Sequence, residues 1–129
     1  MSIEQNKAVV RRYITEVLVG GNVELVDDVL AVNYVNAGMG GMDRTGFKAW
    51  LNVPSAGPGG RMEIQELVAE GDAVVARFTY TTQPPDGSEI TARGLAYYRL
   101  EDGRIVEDDA ITTPDLRQVF SAQMPPPGR

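Results

Sequence analysis

The spacing of apolar residues changes once along this chain of 129 residues, and the change restricts the possible folds more than any other feature. Before the stretch SAGPGG at 55–60, apolar residues recur every three or four positions, which is the period of an amphipathic helix. After that stretch they alternate with polar residues, which is the period of half-buried strands. Helices followed by a run of strands predict an α+β domain with its helices packed on one face of an antiparallel sheet.

The first half of the chain contains start signals for three helices. Ser2 begins a capping box for the first helix. Asn22 can cap a second helix that runs to about residue 31, and Asp43 can cap a third, short helix. The stretch between these two helices, VNYVNAGMGGMD at 32–43, is rich in Gly and Asn and predicts a loop or a short strand at the rim of a site.

Four β segments follow in meander order, joined by turn sequences. The turns are EGD at 70–72, PPDGS at 84–88 and EDGR at 101–104. We expect a single domain over residues 1–120. The tail at 121–129 contains three consecutive prolines and is predicted to be extended or flexible.

Charge and hydropathy exclude two kinds of partner. Acidic residues outnumber basic ones by 18 to 12, for a net charge of −6, and Lys and Arg do not cluster, so we expect no nucleic-acid partner. The N-terminal sequence MSIEQNK lacks an apolar export segment, and no run of 18 apolar residues occurs. We therefore expect a soluble, cytoplasmic protein with no membrane partner.

Two missing residue types restrict the chemistry. The chain has no Cys, which excludes disulfides, thiolate nucleophiles and Cys-based metal sites. It also has no His, so imidazole cannot act as a general base. Proton transfer is therefore left to carboxylates, tyrosines or lysine.

Three consecutive carboxylates interrupt the last predicted strand, in the stretch GRIVEDDAI at 103–111. Acidic residues are depleted in strands because they fit a half-buried pleated surface poorly. Neighbouring strand residues point to opposite faces, so Asp108 lies on one face while Glu107 and Asp109 lie on the other. The residues alone leave open which face is the inner one. They also allow all three acids to lie on a solvated or edge strand, as protection against pairing with another molecule.

Four stretches of the chain resemble successive landmarks of one protein family: NKAVVRRYITEVLVGGNVELVDDVLAVNYVN, GFKAWL, ELVAEGDAVVARFTYT and EDGRIVE. Up to Phe120, the chain resembles the SnoaL-like polyketide cyclase family of the nuclear-transport-factor-two-like superfamily. The resemblance implies a cone-shaped α+β fold, in which a curved antiparallel sheet wraps around the N-terminal helices and encloses an apolar pocket. It also implies a homodimer formed through the outer face of the sheet, where Leu95 and Tyr97 are expected to lie.

The same resemblance implies cofactor-free acid–base chemistry on a small hydrophobic molecule, most characteristically the intramolecular aldol cyclisation of polyketides. The superfamily also includes isomerases, epoxide hydrolases and non-catalytic ligand binders, so the fold by itself does not define the reaction. This chain departs from the usual catalytic set. Ala37 stands where relatives often have a histidine, and Ala110 stands where a carboxylate is expected. Asp108 and Asp109 occupy the place of a His-Trp pair.

Three residues are candidates for catalysis. The resemblance places Asp108 in the pocket as the proton-transfer group, because an apolar pocket would raise its pKa toward neutrality. Tyr13 can donate a hydrogen bond to a developing enolate oxygen, or it packs in the core without a further role. Arg93 can offer a fixed positive charge to an oxyanion or hold Asp108 ionised, or it is a surface arginine that balances nearby acids.

A second group of residues is expected to contact the ligand. Asn36 can hydrogen-bond a substrate carbonyl from the rim loop, or it serves turn geometry only. The apolar wall is expected to contain Trp50, Phe78, Met39 and Met42, with core packing as the alternative for Phe78. We expect no metal, because acids on opposite faces of one strand cannot bind the same ion. We expect no nucleotide cofactor, because GMGG at 38–41 lacks the context of a phosphate-binding loop.

Two functions remain possible at this point. The first is a cyclase or isomerase of hydrophobic, carbonyl-bearing, polyketide-type molecules, with Asp108 transferring protons and Tyr13 or Arg93 stabilising oxyanion charge. The alternative is a non-catalytic protein of the same fold that binds a small hydrophobic ligand, which the missing histidine, Ala37 and Ala110 favour. An inward Asp108 with a second polar group within about 3 Å supports the enzyme.

Overall fold

The structure, a computed structural model, describes residues 2–52, 60–83 and 88–115. Helical segments form one layer and a six-stranded sheet forms the other. The helical segments are α1 (Ile3–Arg12), a π-helical continuation (Tyr13–Val19), a 3₁₀ turn (Val23–Leu25), α2 (Val26–Val29), a second 3₁₀ turn (Ala37–Met39) and α3 (Arg44–Leu51). The strands are β1 (Leu30–Asn36), β2 (Met42–Asp43), β3 (Arg61–Glu70), β4 (Ala73–Thr82), β5 (Ile90–Glu101) and β6 (Arg104–Thr113).

The helical layer begins at the predicted capping box. The Ser2 hydroxyl accepts a hydrogen bond from the Gln5 backbone N–H at 3.1 Å, and Gln5 Oε1 accepts one from the Ser2 N–H at 2.9 Å. The helix changes from α to π geometry at Tyr13, and the wider turns end at Gly20. A Cβ on Gly20 would lie 2.6 Å from the Glu16 carbonyl oxygen, so only glycine fits at this end without a shift of the backbone.

The second helical region is shorter than predicted, and the strand after it is longer. Asn22 caps the region, because its side chain accepts a hydrogen bond from the Glu24 N–H at 3.2 Å. α2 ends at Val29, and β1 begins at Leu30, whose extended backbone and full burial place it in the sheet. Much of the stretch at 32–43 is therefore strand, which is the second of the two predicted alternatives.

The third helix supplies the aromatic part of the core. Its predicted cap is present, since Asp43 Oδ1 accepts a hydrogen bond from the Gly46 N–H at 2.8 Å. Phe47 and Trp50 are buried on the inner side of this helix, with ring centroids 5.7 Å apart. Phe47 also contacts Tyr13 at a centroid distance of 5.8 Å, so α3 and the π-helical segment share one aromatic cluster.

The sheet is mixed and open, with strand order β2-β1-β6-β5-β4-β3. The meander from β3 to β6 is antiparallel as predicted, but β1 pairs with β6 in parallel, so the prediction of a wholly antiparallel sheet is wrong. Parallel neighbours need a long crossover, and the chain through α3 and the intervening strands provides one. The predicted class, an α+β fold with a curved sheet over N-terminal helices, is confirmed.

Some predictions concern residues outside the described part of the chain. Most of the PPDGS turn at 84–88 and the whole tail at 121–129 fall there, so the predicted domain limit stays a prediction. No helix within the described residues is long and apolar enough to cross a membrane.

Candidate active site

Asp108 lies in the interior of the protein. The alternation along β6 turns it inward, where it is 3% exposed, while Asp109 is exposed on the outer face. Since β6 lies between β1 and β5, its acids protect no sheet edge. Asp108 is paired directly with Tyr98 of β5 and with Asn36 of β1, so both neighbouring strands present polar side chains to it.

One oxygen of Asp108 accepts all its hydrogen bonds. Oδ2 accepts from the Tyr13 and Tyr34 hydroxyls, each at 3.0 Å. Asn36 Nδ2 donates to the same oxygen at 3.4 Å. Asn36 Oδ1 accepts from the Met39 N–H at 3.1 Å and caps the 3₁₀ turn. Asn36 therefore stabilises the turn and also bonds the carboxyl of Asp108. No described residue donates to Oδ1, which leaves that oxygen available to a bound molecule.

Burial and hydrogen bonding act on the carboxyl in opposite directions. The pKa of Asp108 is raised to about 6, because burial raises it by more than the Tyr13 and Tyr34 hydrogen bonds lower it, and the charge of Asp109 also raises it. Burial also raises the pKa of Tyr13, Tyr34 and Tyr98 well above the ordinary tyrosine value, and the charge of Asp108 raises it further. The phenols therefore stay protonated at neutral pH, where Asp108 changes its charge.

A cavity of about 100 Å³ lies beside Asp108, between the helices and the inner face of the sheet. Small residues make room for it, since Ala96 on β5 and Ala110 on β6 are direct partners and both line it. Gly38 packs against the Ala110 backbone so closely that a Cβ there would lie 2.8 Å from the Ala110 N and O atoms. Six aromatic side chains line the cavity: Tyr13, Phe47, Trp50, Phe78, Tyr80 and Tyr98.

Most of the residues predicted to contact a ligand line this cavity. They are Asn36, Trp50, Phe78 and Met39, and Asp108 and Tyr13 line it as well. Met42 is not among the described residues that line the cavity, so its contact with a ligand stays a prediction. It lies on β2, which pairs with β1 on the side away from β6, and it packs against the margin of the core.

The structure places Arg93 at the surface, which is the alternative that the sequence left open, and not at the site. Tyr98 and the other even-numbered residues of β5 face inward, so Arg93 points to the outer face, where it is exposed between its strand partners Thr79 and Thr113. It cannot offer its charge to Asp108 or to a molecule in the cavity. None of the described residues that line the cavity is Lys or Arg.

Sequence reasoning missed two tyrosines of the site, Tyr34 and Tyr98. Tyr34 lies two residues before Asn36 on β1, so the strand alternation places the two side chains on one face and gave a usable signal. Tyr98 follows Tyr97 on β5, and since Tyr97 is expected on the outer face, strand alternation places Tyr98 on the inner face and also gave a usable signal.

The arrangement provides Asp108 as a buried proton-transfer group at an apolar cavity. Asp108 Oδ1 can accept a proton when the carboxyl is ionised and donate one when it is neutral, while the bonds to Oδ2 hold the orientation. Within residues 2–52, 60–83 and 88–115, no three acidic side chains come close enough together to hold a metal ion.

An open curved sheet over N-terminal helices, with a buried polar cluster at an apolar cavity, is the nuclear-transport-factor-two-like class of fold. Within that class, the sequence matches the SnoaL-like domain over residues 10–108. The chain therefore belongs to the SnoaL-like family. No curated protein sequence matches it.

Solved structures share the fold over nearly the whole chain. A proposed polyketide cyclase from Acidithiobacillus ferrooxidans is 27% identical, with a TM-score of 0.74 over 95% of this chain and 99% of that chain. A proposed SnoaL-like polyketide cyclase from Jannaschia sp. CCS1 is 21% identical, with a TM-score of 0.76 over 98% and 97%. An LEH-like epoxide hydrolase from M. tuberculosis is 17% identical, with a TM-score of 0.75 over 94% and 92%. The last two likenesses show the fold alone.

Proposed function

We propose that this protein is a cyclase or isomerase of small, hydrophobic, polyketide-type ketones and that Asp108 is its proton-transfer group. The observation that carries the proposal is the buried carboxyl, whose Oδ2 is held by Tyr13 and Tyr34 while Oδ1 is left for a molecule in the cavity. A pKa of about 6 makes both protonation states accessible near neutral pH. The likeness to a proposed polyketide cyclase supports the substrate class.

The chemistry requires only proton transfer. Asp108 Oδ1 takes a proton from the carbon next to a ketone, so the C–H bond breaks and its electron pair enters the enolate. In a cyclisation, the enolate carbon forms a C–C bond to a second carbonyl of the same molecule, and the resulting alkoxide takes the proton back from Oδ1. In an isomerisation, the proton returns to a different carbon. Both routes restore the carboxylate and need no oxidant or reductant.

Exchange of protons for deuterium tests this step with a simple ketone. The methyl protons of acetophenone exchange through its enolate, and NMR in deuterated buffer near neutral pH follows their loss. Asp108→Asn keeps the shape of the side chain and removes proton transfer, so the exchange rate should fall by about 10²–10⁴-fold. Asp109→Asn makes the same chemical change on the outer face and should alter the rate little.

Equal losses in the two variants, or a larger loss at Asp109, would contradict the role of Asp108. Binding of acetophenone without exchange in the wild type would favour the second candidate, a non-catalytic protein that binds small hydrophobic ligands. The observation that favours this candidate is that the methyl groups of Ala96 and Ala110, which carry no reactive group, line the cavity.

A further inference from the structure

Tyr98 carries a hydroxyl that has no hydrogen-bond partner among the described residues and that protein atoms do not fully enclose. The residue is 2% exposed, and its hydroxyl makes no hydrogen bond with any described residue. Buried phenols normally have a partner, because an unpaired polar group in the interior is costly. The ring packs edge-on against Tyr13 at a centroid distance of 5.8 Å, which restricts its orientation in the cavity wall. Since Tyr98 lines the cavity, a ligand there can supply the missing acceptor.

Asp108 lies directly opposite Tyr98 on the neighbouring strand, at the cross-strand distance at which side chains interact. The two side chains are not hydrogen-bonded to each other. Asp108 Oδ1 lacks a donor and the Tyr98 hydroxyl lacks an acceptor, so the pair presents one base and one donor to the same cavity. A ketone matches the pair, because its oxygen is an acceptor and the carbon beside the carbonyl carries an acidic proton.

We propose that Tyr98 is a catalytic residue that donates a hydrogen bond to the substrate carbonyl oxygen while Asp108 Oδ1 removes the proton from the adjacent carbon. This inference rests on the proposed function. As the C–H bond breaks, its electron pair forms the C=C bond of the enolate and the carbonyl pair moves to oxygen. Negative charge thus develops at the atom that Tyr98 contacts, and the phenol keeps its own proton throughout.

Tyr98 takes the role that the sequence suggested for Tyr13 or Arg93. The Tyr13 hydroxyl is bound to Asp108 Oδ2 at 3.0 Å, and Arg93 lies on the outer face. The cavity of about 100 Å³ also limits the ligand, because an apolar cavity of roughly 150 Å³ is known to hold benzene. Since this cavity is smaller than that one, we infer that the enclosed part of the substrate is at most about one ring, which makes acetophenone, with its single ring, a suitable probe.

The test uses acetophenone labelled with ¹³C at the carbonyl carbon and bound to the full chain. A hydrogen bond to the oxygen moves the carbonyl resonance to higher frequency than in an apolar solvent. We expect this shift in the wild type and its loss in Tyr98→Phe, together with a roughly hundredfold slower methyl exchange. Tyr97→Phe is the matched control, because it removes a hydroxyl from the adjacent residue on the outer face and should change neither readout.

Protonated Asp108 is the other group that can donate a hydrogen bond to the carbonyl oxygen. The pH dependence of the carbonyl shift distinguishes it from Tyr98. The groups that face Asp108 are the phenols of Tyr13, Tyr34 and Tyr98, with Asp109 as the neighbouring charge on its own strand. Asp115 lines the same cavity. Tyr98 donates at every pH in the range, so the carbonyl shift should persist above about pH 7, where Asp108 is ionised. A shift that disappears as the pH rises through about 6 would assign the donor to Asp108 and overturn the proposal.

The other outcomes of these experiments, and the melting temperature of Tyr98→Phe, also support or overturn the inference. Tyr98→Phe should melt at about the same temperature as the wild type, because the hydroxyl that it deletes has no partner among the described residues, and a markedly lower melting temperature would reveal a protein partner and overturn the inference. An unchanged carbonyl shift in Tyr98→Phe would overturn the role of Tyr98 but leave the proposed function intact if Asp108→Asn abolishes exchange. Absence of exchange in the wild type would overturn the proposed function and with it the catalytic role of Tyr98. Absence of acetophenone binding would overturn the inference directly.

Discussion

The buried carboxyl of Asp108 should make the protein less stable as the pH rises from about 4 to above about 6. Its pKa is about 6 in the folded protein, whereas an unfolded aspartate has a pKa of about 3.9. Between these values the folded state keeps a proton that the unfolded state releases, so the stabilisation present below about pH 4 is lost as the pH passes through about 6. A difference of about two pKa units corresponds to roughly 3 kcal/mol of unfolding free energy.

The substitution Asp108→Asn isolates this contribution. Asparagine retains an oxygen that can accept from Tyr13 and Tyr34, but it does not ionise. We expect the free energy of unfolding of the variant, measured by urea denaturation, to gain about 3 kcal/mol relative to the wild type between about pH 4 and about pH 8. Other carboxyls cancel in this difference, including Asp27, whose pKa is lowered by its hydrogen bond to Lys48.

Asp109→Asn is the matched control for the same measurement. Its exposed charge is only the last of the causes that raise the pKa of Asp108, so this variant should keep most of the pH dependence of the wild type. A stability difference between Asp108→Asn and the wild type that stays constant within about 0.5 kcal/mol would refute the reasoning, because it would mean that Asp108 has an ordinary pKa. A difference of the opposite sign would mean that the hydrogen bonds outweigh burial.

Three further predictions follow from the same contacts. Tyr34→Phe removes a hydrogen bond that lowers the pKa of Asp108, so an NMR titration of the carboxyl should show a midpoint at higher pH, and an unchanged midpoint would contradict that coupling. We propose that two copies pair through the outer face of the sheet, where Leu95 and Ile111 are 54% and 75% exposed, so light scattering at tens of micromolar should give a mass near twice 14.0 kDa rather than a monomer. EDTA should leave acetophenone binding unchanged, since no three acidic groups converge in the described residues, and a loss of binding would count against this.

The features that the sequence predicted well are local ones. The caps at Ser2 and Asp43 depend on side chains three residues from the groups they bind, so a short stretch contains all the information. Strand alternation was enough to predict which side chains of β6 share a face, once the family resemblance indicated which face is the inner one. The parallel pairing of β1 with β6 joins residues more than seventy positions apart, and it brings Tyr34 and Asn36 to Asp108. No local pattern encodes such a pairing, so the hydrogen-bonded cluster could not be assembled from the sequence.

The position of Tyr98 shows how one irregularity decides which side chain enters a site. At the turn, Glu101 pairs with Arg104, and continuing that register along β5 would place Tyr97 opposite Asp108. A register shift between Arg99 and Leu100 moves the pairing by one residue, so Tyr98 is the actual partner. A one-residue slip exchanges the two faces of a strand, and the sequence carries no visible mark of this bulge.

The absence of histidine explains why the surroundings of Asp108 matter for catalysis. Imidazole, with an ordinary pKa of about 6.5, is the usual base at neutral pH, and an exposed aspartate is a far weaker base. The surroundings of Asp108 together bring its pKa to about 6, close to that of imidazole. Burial alone would raise it further and keep the carboxyl neutral, but the Tyr13 and Tyr34 hydrogen bonds oppose this effect. The basicity of Asp108 thus depends on the balance between burial and these hydrogen bonds. A change that admits water to the cavity should lower the pKa of Asp108, whereas removal of either phenol should raise it.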